Sequence, residues 1–322
     1  MSTPDWNGFQ LSGYILPDIA LENVLASVPI KEILKLRQVC QVWRDITLRR
    51  TFWKIVFERN GMDWESVPLH IKEREKSWIA FYVACKDRIF QRSFILNHSG
   101  HQQFDHWQKL QNGGNGIIVE TPPVCIEPLP SEAKYSGQID SAFVYSYDWS
   151  VLQQKVILKD IGLTKEVMRT IMPFQFVATQ MIGTRWDCGG SFCVVLGLLD
   201  GRGEALSFTM SDIIIPAGEN WLESTCSLNV IDEFDRFDDV KSFVILICGK
   251  DTQYWAGHYG TKCSRIAVNL KCLSPMEAES VTPHSKYVTN PQNAHIFLGN
   301  FWQSLLPRRS MGRCPYSRTP RY

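Results

Sequence analysis

Phe143-Val144-Tyr145-Ser146-Tyr147 alternates with period two: Phe143, Tyr145 and Tyr147 share one face, and Val144 and Ser146 the other. That spacing is the signature of a β-strand with one buried side. Strand-length runs recur after it. They are Ser141–Trp149 itself, Lys155–Leu158, Phe192–Leu199, Ala205–Thr209, Asp212–Ile215, Ser224–Ile231, Ser242–Cys248 and Ser264–Leu270. Turn signals separate them, among them Asn112-Gly113-Gly114-Asn115-Gly116 and Asp200-Gly201-Arg202-Gly203. Eight short strands with turns between them predict an antiparallel sandwich or barrel over residues 93–276.

Upstream the period changes. After Leu16-Pro17, apolar residues fall at Ile19, Leu21, Val24, Leu25 and Val28, and a second stripe follows Pro29 at Ile30, Ile33, Leu34, Leu36, Val39, Cys40, Trp43 and Ile46. Three- and four-residue steps predict a helical bundle, and we place it at 14–60. Ile71–Arg92, free of Gly and Pro, reads as one or two further helices in a linker over 61–92. The last segment, 277–322, contains five prolines and a basic end, and is expected to be a flexible tail. Within it Ile296, Phe297, Leu298, Phe301, Trp302, Leu305 and Leu306 would share a face of a short helix, packed on its own domain or docked elsewhere. The fold class is thus α+β and multidomain.

Composition narrows the function. The 322 residues are 44% hydrophobic with a formal net charge of +1, which excludes a disordered or collagen-like chain. No apolar run approaches the ~18 residues of a membrane span. No domain is basic enough to point to nucleic acid: residues 93–276 hold 14 Lys and Arg against 20 Asp and Glu. The N-terminus lacks a secretory pattern and the ten cysteines form no C-x-x-C pair, so reduced thiols and a cytoplasmic location are expected.

The helical stretch resembles an F-box. The match runs through Leu16-Pro17, Leu21, Val24-Leu25, Val28-Pro29, Ile33-Leu34, Leu36-Arg37-Gln38-Val39-Cys40, Trp43-Arg44 and Phe52-Trp53. The resemblance implies a three-helix domain that docks on the Skp adaptor of a cullin-RING ubiquitin ligase. Leu16, Pro17, Leu21, Val28, Ile33 and Leu34 are the candidates for that surface, with Leu36, Val39 and Trp43 holding the bundle together.

The second half is similar to the F-box-associated domain of the sugar-recognising F-box proteins, a jelly-roll-like β-sandwich. The likeness rests on His106-Trp107, Asn112–Gly116, Phe143–Trp149, Arg185-Trp186-Asp187-Cys188-Gly189 and above all Gly249-Lys250-Asp251-Thr252-Gln253-Tyr254-Trp255-Ala256-Gly257-His258-Tyr259-Gly260. Some members grip the chitobiose core of N-linked glycans. The corresponding positions here are Tyr147, Asp187, Tyr254 and Trp255. An aromatic face suits the C–H side of a pyranose, and a carboxylate and a phenol suit its hydroxyl and N-acetyl groups. For Tyr254 and Trp255, contact to another part of a substrate protein and plain core packing are the competing readings. In a regular strand the two would face opposite ways, so a shared pocket requires a loop or a strand end.

The resemblance implies a non-catalytic substrate receptor of a Skp–cullin–F-box ligase. It would bind misfolded, N-glycosylated (high-mannose) proteins exported from the endoplasmic reticulum and send them to degradation, with no cofactor and no metal. A non-glycan protein adaptor on the same scaffold is the alternative. A carbohydrate-active hydrolase is a remote one, resting on Asp232, Glu233, Asp235, Asp238 and Asp239, which otherwise read as a solvated loop. His98, His101, Asp105 and His106 sit in a Gly-containing loop with no helix to aim them, and are read as solvated rather than metal-ligating.

Overall fold

A computed structural model of the chain describes residues 8–127, 139–231 and 236–280. After a two-strand ribbon, β1 (Gln10–Leu11) and β2 (Tyr14–Ile15), come four short helices: α1 (Asp18–Ala26), α2 (Ile33–Leu36), α3 (Gln41–Ile46) and α4 (Arg50–Arg59). Pro17 caps α1 with its fixed φ of −57°, and Asp18 places a carboxylate in the first turn, where the helix dipole favours it. The second sequence stripe divides into α2 and α3 because the chain turns at 37–39 and becomes extended at Cys40, φ −159°. The 14–60 segment therefore has four helical pieces rather than three.

The expected linker is part of the same core. It forms α5 (Leu69–Lys72) and α6 (Ser77–Asp87), and Phe81 of α6 lies 6.0 Å from Trp53, 5.9 Å from Phe57 and 5.0 Å from Trp64, ring centre to ring centre. Arg88, in a left-handed conformation, ends α6.

The sandwich follows with β3 (Gln108–Asn112), β4 (Ile118–Glu120), β5 (Ala142–Val144), β6 (Ser150–Ile157), α7 (Lys165–Ile171), β7 (Phe174–Gly183), β8 (Gly190–Leu199), β9 (Ala205–Ile215), β10 (Leu222–Val230), β11 (Ser242–Asp251), β12 (Lys262–Cys272) and α8 (Pro275–Ser280). Two five-stranded antiparallel sheets form, in the orders β10-β7-β12-β5-β4 and β3-β6-β11-β8-β9. Neither sheet closes on itself, so the fold is an α+β chain whose second part is a jelly-roll-like sandwich. Phe174, Phe176, Ala178 and Ile182 of β7 alternate inward to meet Phe243, Ile245 and Ile247 of β11; the Phe176 and Phe243 rings are 4.9 Å apart.

The structure departs from the sequence reading at several elements. β3, β4, β7 and α7 were missed. The two runs Ala205–Thr209 and Asp212–Ile215 are one strand, and the run around Phe143 leaves the ladder after Val144. Strand pattern ends at Cys272, and α8 begins with a capping box in which Ser274 N–H donates to Glu277 Oε2 (2.7 Å) and Glu277 N–H to Ser274 Oγ (3.2 Å). The Ile296–Leu306 island lies outside the described residues.

Strand direction sorts the connections. Those after β3, β5, β7, β9 and β11 gather at one end of the sandwich; those after β6, β8 and β10 lie at the other. The helical domain sits at the second end, where α6 packs on α7. A Cβ at Gly162 would lie 2.6 Å from Asp87 Oδ2, and Arg74 donates to the carbonyls of Arg169 and Thr170. One hydrophobic core runs without a break from Leu21 through Phe81 and Leu163 to Leu270.

Phe81→Ala should therefore cost about 3–5 kcal/mol, as deletion of a fully buried Phe does. A urea titration followed by tryptophan fluorescence measures it; a loss under about 1 kcal/mol would separate the linker from the core.

Candidate functional site

All four residues assigned to ligand binding reach the loop end. Tyr147 stands in the β5–β6 connection, Asp187 in the β7–β8 connection, and Tyr254 and Trp255 in the β11–β12 connection. β11 stops at Asp251, so the aromatic pair lies in a loop and the opposite-face objection does not arise. Tyr254 is 68% exposed and Trp255 42%, which removes the core-packing reading.

The loop is shaped by a residue to which the sequence reading gave no role. Asp251 is fully buried, and its carboxylate accepts three backbone N–H bonds: Gln253 (3.1 Å) and Tyr254 (2.6 Å) at Oδ1, Trp255 (3.0 Å) at Oδ2. These charge-assisted bonds turn the chain and hold Tyr254 at φ +59°. Gly260 closes the loop. A Cβ there would come within 2.8 Å of the Tyr145 carbonyl and 2.9 Å of the Asp251 nitrogen, a backbone approach that only glycine allows.

Neighbouring loops are tied to this one. Asn115 Oδ1 accepts from Gly257 N–H (2.8 Å), and Ser146 Oγ donates to the Gly257 carbonyl (2.6 Å) while accepting from Asn115 N–H (3.0 Å). Tyr147 is half-buried beside Gly114, where a Cβ would meet its ring at 3.1 Å. On the other flank Gln253 Nε2 donates to the Asp187 carbonyl (3.3 Å) and Thr252 N–H to the Gly189 carbonyl (3.1 Å).

A chain of contacts links Asp187 to Trp255. Asp187 takes two bonds from Arg185, Nε to Oδ1 at 2.9 Å and Nη2 to Oδ2 at 3.1 Å. The Arg185 guanidinium lies 4.4 Å over the Tyr259 ring, and Tyr259 meets Trp255 edge-on at 5.7 Å. Lys250 Nζ donates to the Tyr254 hydroxyl at 3.0 Å. Chemically the end offers one tethered carboxylate with unused lone pairs, a phenol and an indole face. These groups bind hydroxyls and C–H surfaces.

Of the adaptor candidates, Leu16 and Val28 are half-buried and Pro17 and Leu34 exposed. Leu21 and Ile33, expected to project toward a partner, are fully buried. They face the interior of the bundle and hold it together instead. Val39, expected in the interior, is 59% exposed. Of the acidic cluster, Asp238 and Asp239 lie at the opposite end from the loops and pair with Arg169 and Arg236; Asp232, Glu233 and Asp235 lie outside the described residues. No group of three or more metal-ligating side chains occurs among the described residues.

Two outcomes follow. Asp251→Asn replaces one acceptor oxygen with a donor facing another N–H, and should destabilise the loop by about 1.5–3 kcal/mol; faster amide exchange at Gln253–Trp255 reads this, and unchanged exchange refutes it. The Arg185 bonds hold the Asp187 carboxyl below its ordinary value of 3.8. A depressed folded value keeps the charge, and any stability it brings, until pH falls through that lower value. Ligand binding that uses Asp187 should therefore stay flat from pH 8 to 5; a loss near pH 6 would assign the charge to another group.

The family description "F-box associated region" matches residues 85–270, and "F-box domain" matches residues 14–55. F-box only protein 6 of Mus musculus is 26% identical, over 91% of this chain and 97% of its own. F-box only protein 17 of Homo sapiens is 26% identical over 80% and 91%, and F-box only protein 2 of Bos taurus 24% over 82% and 86%. Among solved structures, the CBM22-1 xylan-binding domain of Paenibacillus barcinonensis Xyn10C aligns at a TM-score of 0.32 and 12% identity, covering 57% of this chain and 94% of that one; so low a score bears no functional weight. The family match spans more than half of the chain, and the chain belongs to the F-box associated region family, with an F-box domain ahead of it.

Proposed function

We propose that this protein is the substrate-recognition subunit of a Skp–cullin–F-box ubiquitin ligase, and that its loop end binds the chitobiose core of high-mannose N-linked glycans on misfolded glycoproteins in the cytoplasm. The observation that carries the reading is the gathering of Tyr147, Asp187, Tyr254 and Trp255 at one end of the sandwich, with two of the aromatics exposed on a loop locked by Asp251. Trp255 stacks on a sugar face while Tyr254 and Asp187 bond its polar groups. The chain does no bond chemistry. It brings substrate lysines close to a charged ubiquitin-conjugating enzyme, and effective concentration does the rest.

The F-box match supports the Skp partner, and so do the apolar side chains left in water on that domain. Ile19, Val24, Leu34 and Val39 are all exposed, together with Pro17. Leu16, Pro17, Val28 and Leu34 form part of the docking face.

Trp255→Ala and Asp187→Ala should each weaken chitobiose binding about 5–150-fold with nearly unchanged melting temperature, as expected for strong but exposed interface groups. Leu16→Ala with Pro17→Ala should sharply reduce capture of the Skp adaptor and leave chitobiose binding intact. Wild-type glycan binding in both loop variants would favour a protein ligand at this end, and released sugar would favour a hydrolase.

A further inference from the structure

The Arg185–Cys188 turn has a second side. Arg185 and Asp187 are locked together, and Trp186 between them is 71% exposed. The turn is rigid: Arg185 and Cys188 bridge, Gly218 N–H donates to the Arg185 carbonyl (2.7 Å), and Thr184 N–H donates to the Glu219 carbonyl (3.0 Å). Trp186 borders a cavity of about 380 Å³ that Thr184, Cys125, Ile126, Glu127 and Asn220 also line. That volume lies within the ~300–1,000 Å³ of small-molecule sites.

The lining repeats the chemistry found across the turn. An indole face stands beside a carboxylate, a carboxamide and a hydroxyl, with Ile126 as an apolar wall. The Thr184 hydroxyl donates to the Pro216 carbonyl at 2.6 Å and keeps an acceptor lone pair. Glu127 disfavours an anionic ligand, and none of the described lining side chains is a Lys or Arg. A neutral, hydroxyl-rich ring fits this set. Because the turn already holds Trp186 out, little ordering accompanies binding.

We propose that this cavity is a second saccharide subsite, in which Trp186 stacks on a further neutral sugar unit of the glycan whose core rests on Tyr254, Trp255 and Asp187. The inference builds on the function proposed above and adds a preference for longer glycans. Cys125 supplies an independent reporter, since it is the exposed thiol among the described cysteines and lines this cavity.

The test is calorimetric titration of the full chain with N,N′-diacetylchitobiose and with the core pentasaccharide that adds three mannoses. Wild type should bind the pentasaccharide at least about fivefold more tightly, the scale of one good aromatic contact. Trp186→Ala should erase that advantage and leave chitobiose affinity within about twofold, while Trp186→Phe keeps part of it. The pentasaccharide, and not chitobiose, should slow maleimide modification of Cys125, with Cys125→Ser as the control. Equal affinity of wild type for the two glycans overturns the subsite alone, as does an equal loss of both in Trp186→Ala. So does an advantage seen only when the glycan is attached to peptide, which would give the cavity to polypeptide. Failure of wild type to bind either glycan overturns the functional proposal itself and the subsite with it.

Discussion

The loop end depends on the placement of one carboxylate out of water. A buried charge is costly unless its lone pairs are satisfied, and Asp251 meets that condition with three backbone N–H groups from the four residues after it. The same bonds force the chain into a tight turn at the end of β11. The turn throws two large aromatics outward, against the usual tendency of such residues to be buried. Three neighbouring loops then attach to a framework already set: Asn115 and Ser146 from one side, and the Asp187 turn, through Gln253, from the other. The exposed aromatic surface is held by polar bonds beneath it, with Trp255 braced edge-on by Tyr259.

A second constraint is the parity of the sandwich. The connections after β3, β5, β7, β9 and β11 fall at one end and the helical domain occupies the opposite one, with α6 seated on α7 and a continuous core between. The docking face proposed on the helices and the ligand-binding face proposed on the loops are therefore kept apart by the length of the strands. The rigidity of the join matters for a receptor of the proposed kind. Presentation of a substrate to a distant ubiquitin-conjugating enzyme is a matter of geometry, and the burial of Phe81 among Trp53, Phe57 and Trp64 makes residues 61–92 a rigid part of the helical domain rather than a tether.

Much of this was legible in the sequence, for identifiable reasons. Alternation and turn spacing gave the sandwich, three- and four-residue steps gave the bundle, and Asp251–Gly260 marked the loop. What escaped was what depends on tertiary context. Phe174-Gln175-Phe176-Val177 alternates clearly, yet its strand follows a seven-residue helix too short to announce itself except through the Thr164 cap. Phe143–Tyr147 has strand periodicity but leaves the ladder early, because the Tyr145 backbone turns to pair with Gly260 and Thr261 beside β11. Leu21 and Ile33 carry the same apolar signal as surface contacts would; only the packed bundle distinguishes inside from outside. Asp251 read as one charge among many, since an Asx-type turn becomes visible in sequence only when the carboxylate is known to be buried.

The central claim is that one end of the molecule holds a saccharide and the other a protein adaptor, with a rigid body between them. Hydrogen–deuterium exchange of the full chain, measured with chitobiose and separately with the Skp adaptor, tests it most directly. Chitobiose should slow exchange in residues 112–116, 145–149, 185–189 and 251–260 and leave 14–60 unchanged, and the adaptor should do the reverse. Protection by chitobiose on the sheet faces or in the helical domain, or no protection anywhere at saturating sugar, would contradict the account.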